Sequence, residues 1–118
     1  IRSVEPRFFE GRLPDINLGS GNGSACADTL ANNLIDVASD ATGYSAILNG
    51  RFKGGHITRH YGDPANRIHA MQLELSQITY MEEQPPYKYR EDLADGIRPV
   101  LKRFLETMLQ WGREHGAE

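Results

Sequence analysis

Asn49-Gly-Arg-Phe-Lys-Gly-Gly-His-Ile-Thr-Arg-His-Tyr-Gly-Asp-Pro-Ala-Asn-Arg-Ile-His-Ala-Met-Gln-Leu-Glu-Leu75 decides how this chain is read. Its end, Ile68 to Leu75, is uncharged apart from Glu74 and His69 and reads as a strand. Alternation puts Ala70, Gln72 and Glu74 on one face and His69, Met71, Leu73 and Leu75 on the other. A carboxylate is thus expected on a sheet whose opposite face is core. His56 to Tyr61 reads as a neighbouring strand, joined to the first by the turn-forming Gly62-Asp-Pro-Ala-Asn66, which suggests a hairpin with a longer loop. Three arginines, Arg51, Arg59 and Arg67, lead up to Glu74. A carboxylate near convergent guanidinium groups is what a site for an acidic substrate needs, because the Arg fork donates two parallel hydrogen bonds to a carboxylate.

Working outward, Leu13 to Gly19 alternates apolar and polar residues, which allows one short strand. Leu30, Leu34, Val37 and Ala38 recur at helical spacing after Ser24, a plausible N-cap, and before Gly43, giving a helix over about 25–40. Tyr44 to Leu48 reads as a short strand closed by the turn signal Asn49-Gly50. From about Arg90 to Glu114 an amphipathic helix carries Leu93, Ile97, Val100, Leu101, Phe104, Leu105, Met108 and Leu109 on one stripe. Gly96 and Pro99 interrupt it, so a kink, or a true start near Arg98, is expected. Helix, strands, then helix gives an α/β class.

The 118 residues make one domain or part of one, with 39% hydrophobic and 25% charged residues and a net charge of -3. No segment gathers Lys and Arg without acidic neighbours, which argues against a nucleic-acid partner. No apolar run reaches membrane-spanning length, so no membrane partner is expected. A single cysteine, Cys26, excludes an internal disulfide framework and suits a cytoplasmic setting.

Glu74 is the candidate general base, with a solvent-facing position or a structural ion pair as the alternative. Arg59 is the first candidate carboxylate clamp and Arg51 the second, against the surface salt bridge that is the commoner fate of an arginine. His56 and His60, four apart on a strand, would sit roughly 13 Å from each other and not share an ion. No HExxH, CxxC or paired Cys/His cluster occurs, so a complete zinc site is not expected within the chain. His69 reads as a core or edge histidine, His115 as solvated in a fraying terminus, and Cys26 as packed.

Asn49 to Gly62 and His69 to Leu75, as quoted, resemble the N-formylglutamate amidohydrolase family. Arg2-Ser3, Pro6-Arg7, Gly11-Arg-Leu-Pro-Asp15, Leu18-Gly19, Gln77, Thr79-Tyr-Met81 and Arg98-Pro-Val-Leu101 extend the resemblance across nearly the whole chain. It implies a mixed sheet flanked by helices, as in the zinc carboxypeptidases, with residues 1–118 forming the C-terminal part of one amidohydrolase domain. It implies zinc-dependent hydrolysis of the small molecule N-formyl-L-glutamate to formate and L-glutamate, late in histidine breakdown. Glu74 would be the general base. Arg59, then Arg51, would hold a substrate carboxylate, and Asn49 and His60 are further substrate-binding candidates. In the family an Asp-Cys-His-Ser type stretch carrying the last metal ligand runs into Ile-Arg-Ser, and this chain begins at Ile1-Arg2-Ser3. The zinc ligands are therefore expected upstream of Ile1, with none in this chain, and the chain alone is expected to be inactive. The rival readings are an amidohydrolase for another N-acyl amino acid and a non-catalytic module that binds acidic amino acids.

Overall fold

Eight elements make up the structure, a computed structural model that describes residues 1–116. Strand β1 is Ile16–Gly19, helix α1 Asp28–Asp40, β2 Ala46–Leu48, α2 His56–Tyr61, β3 Gln72–Leu75 and α3 Glu91–His115. Single 3-10 turns lie at Pro64–Asn66 and Gln77–Thr79. The sheet is mixed, in the order β2-β1-β3. β1 runs parallel to β2, with Asn17 opposite Ile47, and antiparallel to β3, with Asn17 opposite Glu74.

Alternation along β1 divides the sheet into two unlike faces. Ile16 and Leu18 point into the core, where they meet Leu30 and Leu34 of α1 and Ile97 and Phe104 of α3. The apolar side of β3 joins this face: Met71, Leu73 and Leu75 pack against the same cluster, as the sequence predicts. On the other face the period of two places Asp15 and Asn17 alongside Gln72, Glu74 and Ser76. Asp15 anchors this side. Its carboxylate accepts hydrogen bonds from Arg12 Nη2 at 2.8 Å and from the Ser45 N–H at 2.9 Å, tying the entry to β1 to the entry to β2.

Helix α1 forms where the apolar spacing requires it, burying Leu30, Ala31, Leu34, Val37 and Ala38. It starts later than the sequence suggests and has no side-chain cap, because the Ser24 hydroxyl donates to the Gly21 carbonyl instead. Helix α3 runs without a break through Gly96 and Pro99, which corrects the expected start near Arg98. Acidic Glu91 and Asp92 in its first turn and Arg113 and His115 in its last suit the helix dipole. Arg98 also bridges Glu91 at 2.6 Å and Asp95 at 2.7 Å across the turn where Pro99 removes a backbone donor. Of the stripe, Ile97, Val100 and Phe104 are buried, whereas Leu105 and Leu109 are exposed.

The segment from 56 to 71 departs most from expectation. His56–Tyr61 is a helix, not a strand, so it forms no hairpin with β3. The β-branched Ile57 and Thr58 favour a strand, but tertiary contacts decide otherwise. Gly54 takes a φ of 136° that turns the chain into α2. Thr58 is buried, and Gly62 ends the helix with its N–H on the Thr58 carbonyl. A Cβ at Gly62 would lie 2.5 Å from the Ala25 carbonyl oxygen, so this end of α2 is packed directly on backbone. The next residues are also drawn away from strand pairing. Ile68 and Asp63 bond each other, and Ala70 N–H donates to Ala25 O at 2.8 Å, which leaves β3 only four residues long.

Candidate active site

The polar face of the sheet holds the central carboxylate. Glu74 lies across the β1–β3 ladder from Asn17, and residues directly opposite share a face. Its side chain is 37% exposed, and one carboxylate oxygen lies 3.5 Å from the α-amino nitrogen of Ile1. Apart from this ion pair with the Ile1 ammonium, no donor reaches the carboxylate among the described residues, so part of it stays open to a ligand.

Asn17 is the residue that sequence reasoning missed. It is 1% exposed. Its amide nitrogen donates to the Pro14 carbonyl at 2.8 Å and the Glu74 carbonyl at 3.3 Å, which fixes the amide orientation. Its Oδ1 is buried with no partner among the described residues, and so is the Ser76 hydroxyl two residues along from Glu74. Buried polar atoms are nearly always paired, so two orphans flanking one carboxylate mark this face as built for polar company. The signal was present in the alternation of Leu13 to Gly19, which already places Asn17 opposite the apolar positions.

Two loops rise beside the sheet and lock together. Asn49, at the end of β2 with a φ of 55°, donates its N–H to Leu18 O at 2.7 Å. Its Oδ1 accepts the Ser20 N–H at 2.9 Å, and its Nδ2 donates to Ser20 Oγ at 2.9 Å. Gly21 N–H then donates to Lys53 O at 2.6 Å. The Asn49 side chain thus holds the 19–23 loop against the 50–55 loop. The start of α2 is joined to β3 as well, because the Gly55 N–H donates to the side-chain oxygen of Gln72, two residues from Glu74 on the same face.

The arginines lie on three different segments. Arg59 sits on α2, where its Nε–H donates to Gly54 O at 3.2 Å and Gly55 O at 3.3 Å. That leaves its terminal amino groups unpaired among the described residues. Arg51, in the loop after β2, donates from Nε to Phe8 O at 3.0 Å, and its guanidinium lies 6.0 Å from the centroid of the Phe52 ring. Arg67 follows the Pro64–Asn66 turn with a φ of 62°. His60 is exposed on α2, its ring stacked on His56.

The remaining candidates are structural. His69 Nδ1 accepts the Ala27 N–H at 3.1 Å, and the ring meets Trp111 edge to face. His115 is exposed, as expected, and it also stacks on Trp111 at 4.4 Å with Nδ1 2.9 Å from the Trp111 carbonyl. Cys26 is fully buried, and desolvation, with Asp28 adding negative charge nearby, pushes its thiol pKa up to about 11. It is a packing residue rather than a nucleophile. Among the described residues no group of three or more His, Cys, Asp or Glu side chains could hold a metal ion.

Comparison with known proteins places this geometry in context. A family model described as N-formylglutamate amidohydrolase matches residues 1–81. An N-formylglutamate deformylase of Pseudomonas putida is 61% identical over 114 residues, which are 97% of this chain and 43% of that protein. An N-formylglutamate deformylase of Pseudomonas aeruginosa is 57% identical over 117 residues, covering 99% and 44%. The chain therefore spans less than half the length of these curated relatives. Among solved structures, an N-formylglutamate amidohydrolase from Ralstonia eutropha JMP134 superposes with a TM-score of 0.72 at 26% identity, covering 90% of this chain and 37% of that one.

Proposed function

The chain belongs to the N-formylglutamate amidohydrolase family, and we propose that it supplies the general base and the carboxylate clamps for hydrolysis of N-formyl-L-glutamate to formate and L-glutamate. The observation that carries this reading is Glu74: a partly exposed carboxylate whose one charged partner among the described residues is the Ile1 ammonium, set on a polar sheet face beside two orphaned buried polar atoms.

In this reading Glu74 takes a proton from the water that adds to the formyl carbon. It returns that proton to the amide nitrogen as the C–N bond breaks, so that the amine leaves neutral. Arg59 holds a glutamate carboxylate through the terminal amino groups its backbone contacts leave free, with Arg51 as the second clamp. Asn49 contributes through the 19–23 loop that it pins beside the site. His60 meets substrate from α2.

Zinc dependence belongs to the same proposal. Among the described residues no three ligating side chains come together, as a catalytic zinc requires. The zinc of the complete enzyme is assigned to ligands in the part of the protein that the relatives possess beyond this match. A fold relationship to the zinc carboxypeptidases is part of the same proposal. The reaction is placed late in histidine breakdown, in the cytoplasm.

The test measures glutamate released from N-formyl-L-glutamate by a protein of the relatives' full length that contains this sequence, beside the 118-residue chain. Zinc-dependent release by the longer protein alone is the expected result. Release by the short chain would mean that its own residues complete a site, and release by neither would sink the proposed substrate.

A further inference from the structure

Helix α2 carries a pair of histidines of which the proposed hydrolysis uses only His60, leaving His56 and the pairing itself without a role. His56 and His60 stand one helical turn apart on its exposed side. On a strand they would be too far apart to act together, but the helix stacks their rings, with centroids 5.0 Å apart and planes 17° from parallel. Neither imidazole makes a hydrogen bond or an ion pair among the described residues. The one further ring contact is the edge of Tyr61 against His60 at 4.7 Å. The other two histidines differ in this respect, since His69 Nδ1 is taken by the Ala27 N–H and His115 Nδ1 faces the Trp111 carbonyl.

Histidines at positions i and i+4 of a helix can both ligate one metal ion, although the near-parallel stacking of these rings does not itself aim their nitrogens at one point. The terminal torsion of a histidine is soft, so the stacked rings can turn their nitrogens toward a shared ion without moving the backbone. Imidazole suits zinc, copper and nickel, whereas magnesium and calcium call for oxygen ligands. We propose that His56 and His60 form a two-histidine chelate for a late first-row divalent cation, with water in the remaining coordination positions. Its ligands differ from those of the zinc in the family reaction, which the proposed function assigns outside this chain. Because α2 has only six residues between Gly55 and Gly62, such an ion would clamp the whole helix and, with it, Arg59 on the turn between its two ligands.

The test titrates Ni2+ into the full chain by calorimetry at mildly alkaline pH, with Mg2+ as the hard-ion control. One Ni2+ per chain is expected, with no Mg2+ uptake at the same concentrations. His56→Ala and His60→Ala should each weaken Ni2+ binding by at least about tenfold, while His115→Ala leaves it unchanged. Both replaced side chains are exposed, so the variants keep their packing. An independent reading in the unmodified chain is selective paramagnetic broadening of the His56 and His60 ring proton signals. Absence of Ni2+ binding, binding unaffected by either α2 substitution, or broadening centred on His69 and His115 would overturn the proposal.

Discussion

Asn17 and Glu74 are cross-strand partners whose side chains share one face of the sheet, and the Asn17 amide reaches across to the Glu74 main-chain carbonyl at 3.3 Å. The buried amide thus fixes the strand that carries the partly exposed carboxylate. Its own free oxygen remains on the same face.

Glu74→Gln keeps the side chain's shape and removes its basicity. In the full-length protein it should lower kcat for N-formyl-L-glutamate by about 10²–10⁴-fold while substrate still binds. Steady-state turnover together with calorimetric substrate binding measures both quantities. Unchanged turnover would remove Glu74 from the proton-transfer role.

Arg59→Ala should act mainly on binding. Loss of one charge-assisted clamp, about 1.5–3 kcal/mol, corresponds to a rise in KM of roughly 10–150-fold. Arg59→Lys should recover only part of it, because an ammonium lacks the planar fork. A kcat effect as large as that of Glu74→Gln, with KM unaltered, would contradict the clamp.

Asn17→Ala leaves the Pro14 and Glu74 carbonyls without their side-chain donor. We expect a loss of about 1–3 kcal/mol in urea unfolding. Binding at the site should weaken as well, since the substitution frees the strand beneath Glu74. Stability equal to the parent would show that neither hydrogen bond matters.

Gly62→Ala sets a methyl group against the main chain of Ala25. Overpacking of this kind costs about 1–3 kcal/mol. Amide exchange in α2 should accelerate more than exchange in α3, which a deuterium-uptake map resolves.

Cys26 gives a pH signature. Its thiol stays protonated in the folded chain up to a pKa of about 11, against an ordinary value of 9.0. An unfolded chain therefore gives up this proton first as the pH rises, so the contribution is constant below about pH 9 and falls away between about pH 9 and 11. The linked loss of stability is at most about 3 kcal/mol. Native Cys26 should resist alkylation at neutral pH and react fully once denatured. Rapid labelling of the native chain would refute its burial.

The sequence made the packed elements legible because their apolar period is regular. Leu30, Leu34 and Val37 announce α1, Ile97, Val100 and Phe104 announce α3, and the alternation at Gln72 to Leu75 sets Glu74 on the face away from the core. What stayed hidden was decided by contacts distant in sequence. Ile57 and Thr58 have strand propensity, yet Gly62 packed on Ala25 and Gly55 bonded to Gln72 make that segment helical. The same change of structure brings His56 and His60 together. Burial of Asn17 could not be read locally either, because it depends on β2 and β3 closing on both sides of β1.

The order β2-β1-β3 also bears on how the molecule assembles. β1 and β2 can meet as soon as α1 lies between them in the chain, a short-range closure. The second seam of the central strand joins residues as far apart as Asn17 and Glu74, 57 positions. Closing so large a loop carries a higher entropic barrier, and folding slows as such distant pairings come to dominate. The central strand β1 thus gains its second neighbour through the more distant pairing, and the polar face that joins Asn17 to Glu74 exists only once that pairing is made.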